Sequence, residues 1–179
     1  MKTAIGVLIL SAFMSFCHDA DSQIPKPVSV QMPTEKSIVE GIKHDQREKQ
    51  YRRAAVAAGV VYHQNGCRST FAVETGRVAV DYGISPRVLA ALVFVESSCN
   101  PNAISGRKSV GLTQVNPQVW RYKRVELMSP ERNLQIGASI LASYVQRFGL
   151  KEGLHHYNGL GNPSDEYAMK VLAAAGLRS

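Results

Sequence analysis

Two Ser-Pro pairs, Ser85-Pro86 and Ser129-Pro130, each open a run of apolar residues spaced for a helix. Serine is a favoured N-cap, and proline suits the first helical position, where its missing N–H would be unpaired anyway. After Pro86, Leu89, Leu92, Val93 and Glu96 fall at i, i+3, i+4 and i+7. After Pro130, Leu134, Gly137, Leu141, Tyr144 and Phe148 form a stripe that stops at Gly149. The same period predicts a helix over residues 36–58. It predicts another over 70–82, with Phe71, Thr75, Val78 and Tyr82 on one side and Gly83 as a left-handed cap. Short helices are expected at 110–115 and 151–157. Ser164 is placed to cap a last helix, with Asp165 and Glu166 in its first turn. No long alternating run marks a strand, and no internal repeat is present. A chain built this way must bury helical stripes against one another. The expected fold is mainly α, with at most a small β-hairpin near residues 100–110.

At 179 residues and 45% hydrophobic content, the chain can bury one sizeable core. Lys2 precedes an apolar run over residues 4–16, too short for a transmembrane helix, which needs about 20 residues. It suits an export signal, with small residues following at Ala20-Asp21-Ser22. Residues 1–22 are therefore expected to be removed. An uncleaved anchor and lipid attachment at Cys17 are the alternatives, and the bulky Phe16 argues against the second. Residues 23–35 contain Pro25, Pro27 and Pro33 and read as an extended linker before a domain over 36–179. Export would leave two cysteines, Cys67 and Cys99. They could pair in an oxidising compartment or stay as buried thiols.

The formal net charge of +7 favours a polyanionic or anionic-surface partner without saying which. Arg47 to Arg53 is a run of mixed sign in a helical context, so it reads as a solvated helix face. No nucleic-acid motif has a recognisable spacing, and no nucleic-acid partner is expected. His155-His156 is a poor metal pair, because adjacent helical residues point different ways and no partner cluster is evident. Neither a metal nor a cofactor is called for.

Glu96 is the unusual residue. It continues an apolar stripe rather than a polar face, and it sits in the last turn of its helix, where the dipole disfavours negative charge. Position and burial both push a carboxyl pKa upward. An acid that keeps its proton near neutral pH can donate to a leaving group, as in glycoside cleavage. The next acids, Glu126 and Glu131, have no comparable apolar setting. One carboxylate suffices where an N-acetylated sugar supplies its own nucleophile. The plain alternative is a helix-end Glu with its head in water.

Four motifs follow in order: Glu96-Ser97-Ser98-Cys99-Asn100-Pro101, Gly111-Leu112-Thr113-Gln114-Val115-Asn116-Pro117, Asn133-Leu134-Gln135-Ile136-Gly137 and Tyr157-Asn158-Gly159. In that order and at those separations, residues 70–176 resemble the Slt-type lytic transglycosylases of the lysozyme-like fold. The resemblance implies that Glu96 is the catalytic acid and that Ser97 is the small hydroxyl beside it. It implies that Gln114 and Asn116 belong to the sugar cleft, and that Tyr157 and Asn158 are a Tyr-Asn pair whose tyrosine holds the acid. It further implies a peptidoglycan substrate in the bacterial envelope. Glu96 would protonate the bond between N-acetylmuramic acid and N-acetylglucosamine, then take the proton of the muramyl 6-hydroxyl to leave a 1,6-anhydro end. A hydrolysing muramidase on the same fold remains an alternative, as does a non-catalytic wall-binding part of a secretion, conjugation or phage-entry machine. Three positions depart from the family pattern. Thr113 stands where Met is usual and is expected either to weaken an apolar contact with a sugar face or to alter subsite preference. His156 stands where Ala is usual. Cys99 stands where an aromatic is common, which fits a disulfide with Cys67.

Overall fold

The computed structural model describes residues 34–159 and 165–177. The expected export segment with Cys17, the linker up to residue 33, and the capping Ser164 lie outside those residues. From Val39 onward the described residues form one compact unit. Helix α1 spans Glu35–Gln64, longer at both ends than expected. A 3-10 turn at Ser69–Phe71 leads into α2 (Ala72–Asp81), then α3 (Pro86–Ser97). Two short helices, α4 (Pro117–Trp120) and α5 (Arg124–Leu127), were not legible as stripes because each is barely one turn. The long α6 (Pro130–Phe148), α7 (Leu150–Asn158) and α8 (Glu166–Ala174) complete the order.

Helix α3 is the centre. Val88, Leu89, Ala90, Ala91, Leu92 and Val93 are all fully buried, so this helix is apolar all round rather than striped. Helices α2 and α8 pack on it, α6 lies on α2 and α7, and α7 also meets α8. Burying a Leu or Val side chain contributes about 1.5–3 kcal/mol, and Leu89, Leu92, Leu112, Leu134, Leu141 and Leu154 all contribute to this core. Proline starts both α3 and α6 as expected, but the caps differ. Ser85 makes no side-chain cap bond, whereas Ser129 Oγ accepts from the Arg132 N–H at 3.4 Å.

Polar links fix the outer helices. Tyr62 and Thr75 share a buried hydroxyl bond of 2.7 Å between α1 and α2. Burial pushes the Tyr62 phenol up to about 12. Arg47 and Tyr51 both donate to Asp81 at 2.7 Å. Other basic residues of that run, Lys49, Arg52 and Arg53, are exposed. Cys67 and Cys99 are joined as a disulfide, with Cα atoms 6.0 Å apart and a sequence separation of 32. Closing a loop of that length stabilises by about 4 kcal/mol on the chain-entropy account. The bridge ties the chain after α1 to the exit of α3, the end that carries Glu96.

The expected helix at 110–115 is not there. Val110 and Val115 exchange backbone bonds of 3.0 and 3.2 Å, and the bridges Ile104 to Val110 and Val110 to Val115 are the β pairing among the described residues. Gly111 (φ 80°) and Gln114 (φ 48°) are left-handed, which breaks any helix between them. The apolar spacing of Val110, Leu112 and Val115 comes instead from a tight turn that buries all three.

Candidate active site

Glu96 sits in the last turn of α3, after which Ser98 (φ 51°) and Cys99 (φ 64°) turn the chain sharply in the left-handed region. That exit leaves the carboxyl at the edge of the core, partly buried and lining a cleft of about 630 Å³. Burial holds its pKa above the ordinary carboxyl range, against a hydrogen bond from Tyr167 and the positive charge of Lys170. Glu126 and Glu131 do not line this cleft. Glu126 Oε2 accepts from the Lys123 N–H at 3.1 Å to close the start of α5, and Glu131 is exposed in the first turn of α6. Among the described residues lining the cleft, Glu96 is the one carboxyl.

The hydrogen bond to Glu96 comes from the phenol of Tyr167, on α8, to Oε1. Burial, followed by the neighbouring Glu96 charge, lifts the Tyr167 pKa well above its usual value. Tyr157, the tyrosine expected to hold the acid, also lines the cleft, but its hydroxyl donates to the Thr113 carbonyl at 2.8 Å. A phenol has a single proton to donate, so Tyr157 fixes the 110–115 turn and Tyr167 contacts the acid. Burial and the Glu96 charge raise the Tyr157 pKa as well. Sequence reasoning missed Tyr167, which lies 71 residues from Glu96. The available signal was an aromatic in the first turn of α8, on the face that Ala168, Val171 and Leu172 bury.

The turn carrying Gln114 is organised by a second residue whose role was not read. Asn133, fully buried on α6, accepts from the Thr113 N–H at 2.8 Å through Oδ1. Its Nδ2 donates to the Val110 and Leu127 carbonyls at 2.8 and 3.1 Å. The Thr113 hydroxyl reaches Asn133 Oδ1 at 2.8 Å. Thr113 is therefore buried and absent from the cleft lining, which corrects the expected direct contact with a sugar face. Its side chain packs on α6 at Gly137, where an added Cβ would lie 2.3 Å from Thr113 Oγ1. Threonine at this position is paired with the absence of a side chain opposite.

Ser97 is buried, and its hydroxyl lies 2.9 Å from the Val93 carbonyl and 2.8 Å from that of Leu112. It joins the end of α3 to the turn rather than opening on the cleft. Gln114 lines the cleft and uses Nε2 to hold the Ala103 and Gly111 carbonyls at 3.1 and 2.9 Å. That leaves Oε1 as the atom to which a sugar hydroxyl could donate. Asn116 caps α4 by accepting from the Gln118 and Val119 N–H groups at 2.9 and 3.3 Å. Asn158, at the end of α7, lines the opposite end of the motif set beside Tyr157. Val119, Trp120 and Ile140 supply the apolar wall. His156 is stacked on Phe148 at 4.1 Å and on Tyr144 at 5.5 Å, and Trp120 meets Tyr144 edge-on at 6.3 Å. The ring at His156 thus buttresses the helix that presents Tyr157.

A half-buried acid with a raised pKa, a phenol on one oxygen, and a cleft with amides and an aromatic wall can protonate a leaving group on a polar chain. Residues 76–170 match the family model described as the transglycosylase SLT domain. A protein of Cronobacter sakazakii called endo-type membrane-bound lytic murein transglycosylase A is 34% identical over 85 residues, 41% of each chain. The protein of the same name from Enterobacter sp. is 33% identical over 85 residues, again 41% of each. That from Salmonella paratyphi B is 33% identical over 73 residues, 34% of this chain and 36% of the relative. The chain thus spans about two fifths of the length of these curated relatives.

Proposed function

The chain belongs to the transglycosylase SLT domain family, and we propose that it is a peptidoglycan lytic transglycosylase with Glu96 as its catalytic acid and base. The observation that carries this reading is the one carboxyl among the described residues that line the cleft, with burial raising its pKa. Protonated Glu96 donates to the oxygen between N-acetylmuramic acid and N-acetylglucosamine, and that glycosidic bond breaks. The muramyl acetamido carbonyl attacks the anomeric carbon in its place. Glu96, now ionised, accepts the proton of the muramyl 6-hydroxyl as that oxygen closes the 1,6-anhydro ring and the acetamido group leaves. The carboxyl is thereby reprotonated and no water is consumed.

Each neighbour has a place in this cycle. Tyr167 stabilises the ionised form and fixes the orientation of Oε1. Ser97, Asn133 and Tyr157 hold the 110–115 turn against α3 and α6. Gln114, Asn116 and Asn158 supply the polar cleft, and Trp120 an apolar face for a sugar ring. The names of the curated relatives support murein as the substrate. We place the protein in the cell envelope, with residues 1–22 directing export and residues 36–179 as the working domain. No helix among the described residues is long and apolar enough to cross a membrane. The test is Glu96→Gln, which keeps the shape but cannot exchange a proton. It should still sediment with purified wall and release no soluble product. Undiminished release would remove Glu96 from the mechanism.

A further inference from the structure

The cleft also carries a cation that this chemistry does not use. Arg107 lines the same cavity as Glu96, at the tip of a turn over residues 105–109. Ser105 and Ser109 close that turn, with Ser105 N–H to the Ser109 carbonyl and Ser109 N–H to Ser105 Oγ, both at 3.0 Å. The Lys108 N–H reaches the Ser105 carbonyl at 2.9 Å. Lys108 has a φ of 67°, a left-handed conformation that costs a non-glycine residue about 1–2 kcal/mol. Asn116 Nδ2 donates to the Arg107 carbonyl at 2.8 Å and pins the tip to the start of α4. The backbone is therefore held while the Arg107 side chain is exposed.

The ion pairs among the described residues are Arg47–Asp81, Lys49–Asp45 and Lys151–Asp165. Arg107 is in none of them. Glu96, the one carboxyl among the described cleft residues, is hydrogen-bonded by Tyr167 and forms no ion pair with Arg107. An unpaired guanidinium displayed inside a substrate cleft suits a carboxylate, which it can bind through two parallel N–H donors. The sugar rings of the proposed substrate are uncharged; its carboxylates lie on the arm of the muramyl residue, chiefly on the stem peptide. We infer that Arg107 binds a stem-peptide carboxylate and so makes the protein prefer peptide-bearing glycan to bare glycan. This inference rests on the cleft being a peptidoglycan site.

The test is cosedimentation of the full chain with purified wall, either intact or stripped of stem peptides by an amidase. Stripping frees the muramyl lactyl carboxylate, so the two substrates separate the two sources of carboxylate. Arg107→Ala should weaken binding to intact wall about tenfold, or about 1.4 kcal/mol, and to stripped wall less than about twofold. Arg107→Lys should fall between, because it keeps the charge and loses the fork. Raising the salt should narrow the difference on intact wall, since the pair is exposed. Equal weakening on both substrates would overturn the assignment, pointing to the lactyl group or to the turn itself. No weakening on intact wall, or no binding there by the unaltered protein, would overturn it too. Product release measured on the same samples is independent of this outcome. Binding that depends on Arg107 without any product would retain the carboxylate site and remove the catalytic reading.

Discussion

Replacing Tyr167 by Phe removes one oxygen and one hydrogen bond, the one to Glu96 Oε1. A hydrogen bond to a charged group contributes about 1.5–3 kcal/mol. In this site it offsets part of the burial that disfavours ionised Glu96. Without it the burial stays, so the carboxyl pKa rises further. The free enzyme then keeps its acid protonated to higher pH, and the alkaline limb of kcat/KM moves to higher pH. The plateau falls at the same time, because the ionised carboxylate formed after protonation has lost its stabilising donor. At 1.36 kcal/mol per factor of ten, the full bond corresponds to about a ten- to hundredfold loss in kcat. Tyr157→Phe is the control. Its hydroxyl serves the Thr113 carbonyl, so that change should cost about 1–3 kcal/mol of stability and leave the alkaline limb where it was. The assay is release of soluble muropeptides from purified wall, followed from acid to alkaline pH. A limb that shifts in Tyr157→Phe and stays fixed in Tyr167→Phe would refute this division of labour.

Three further outcomes are expected. Asn133→Ala strands the Thr113 N–H and the Leu127 carbonyl and leaves the Val110 carbonyl only its bond from the Val115 N–H; at about 1–3 kcal/mol for each unsatisfied group, thermal unfolding should show Tm falling by roughly 10 °C. The Cys67→Ser, Cys99→Ser pair should lower stability by about 4 kcal/mol, read from denaturant midpoints against the oxidised protein. Glu96 binds its proton more tightly folded than unfolded, so its contribution to stability is complete below about pH 4 and is lost as pH rises through the raised folded value. Glu96→Gln should therefore melt above the native protein at pH 7, by about 2–4 °C for each kcal/mol gained, with the gap closing in acid; calorimetry at the two pH values checks the sign.

The helices that build the core were legible because their signals are local. Ser85-Pro86 and Ser129-Pro130 start α3 and α6 where a cap and a preset φ say they should, and Gly149 ends α6. The setting of Glu96 was legible too, since one stripe position placed an acid on a buried face. The 110–115 turn was not, because so short an apolar run does not distinguish a helix from a turn, and the left-handed Gly111 and Gln114 that exclude a helix are visible only in the folded backbone. Tyr157 and Tyr167 could not be told apart by sequence. Both are aromatics near the C-terminal end, and the packing of α8 on α3 decides which hydroxyl meets Glu96. The burial of Thr113 is not legible in the sequence, because its partners, Asn133 and Gly137, lie on α6. In each case the missing information was a contact distant in the chain.

In the proposed cycle one acid serves twice and water takes no part. Mass spectrometry of the muropeptides released from purified peptidoglycan by the protein tests it most directly. Products one water lighter than the reducing muropeptides, with 1,6-anhydro muramyl ends, are the predicted result. Reducing ends would contradict it, because they require water at the anomeric carbon.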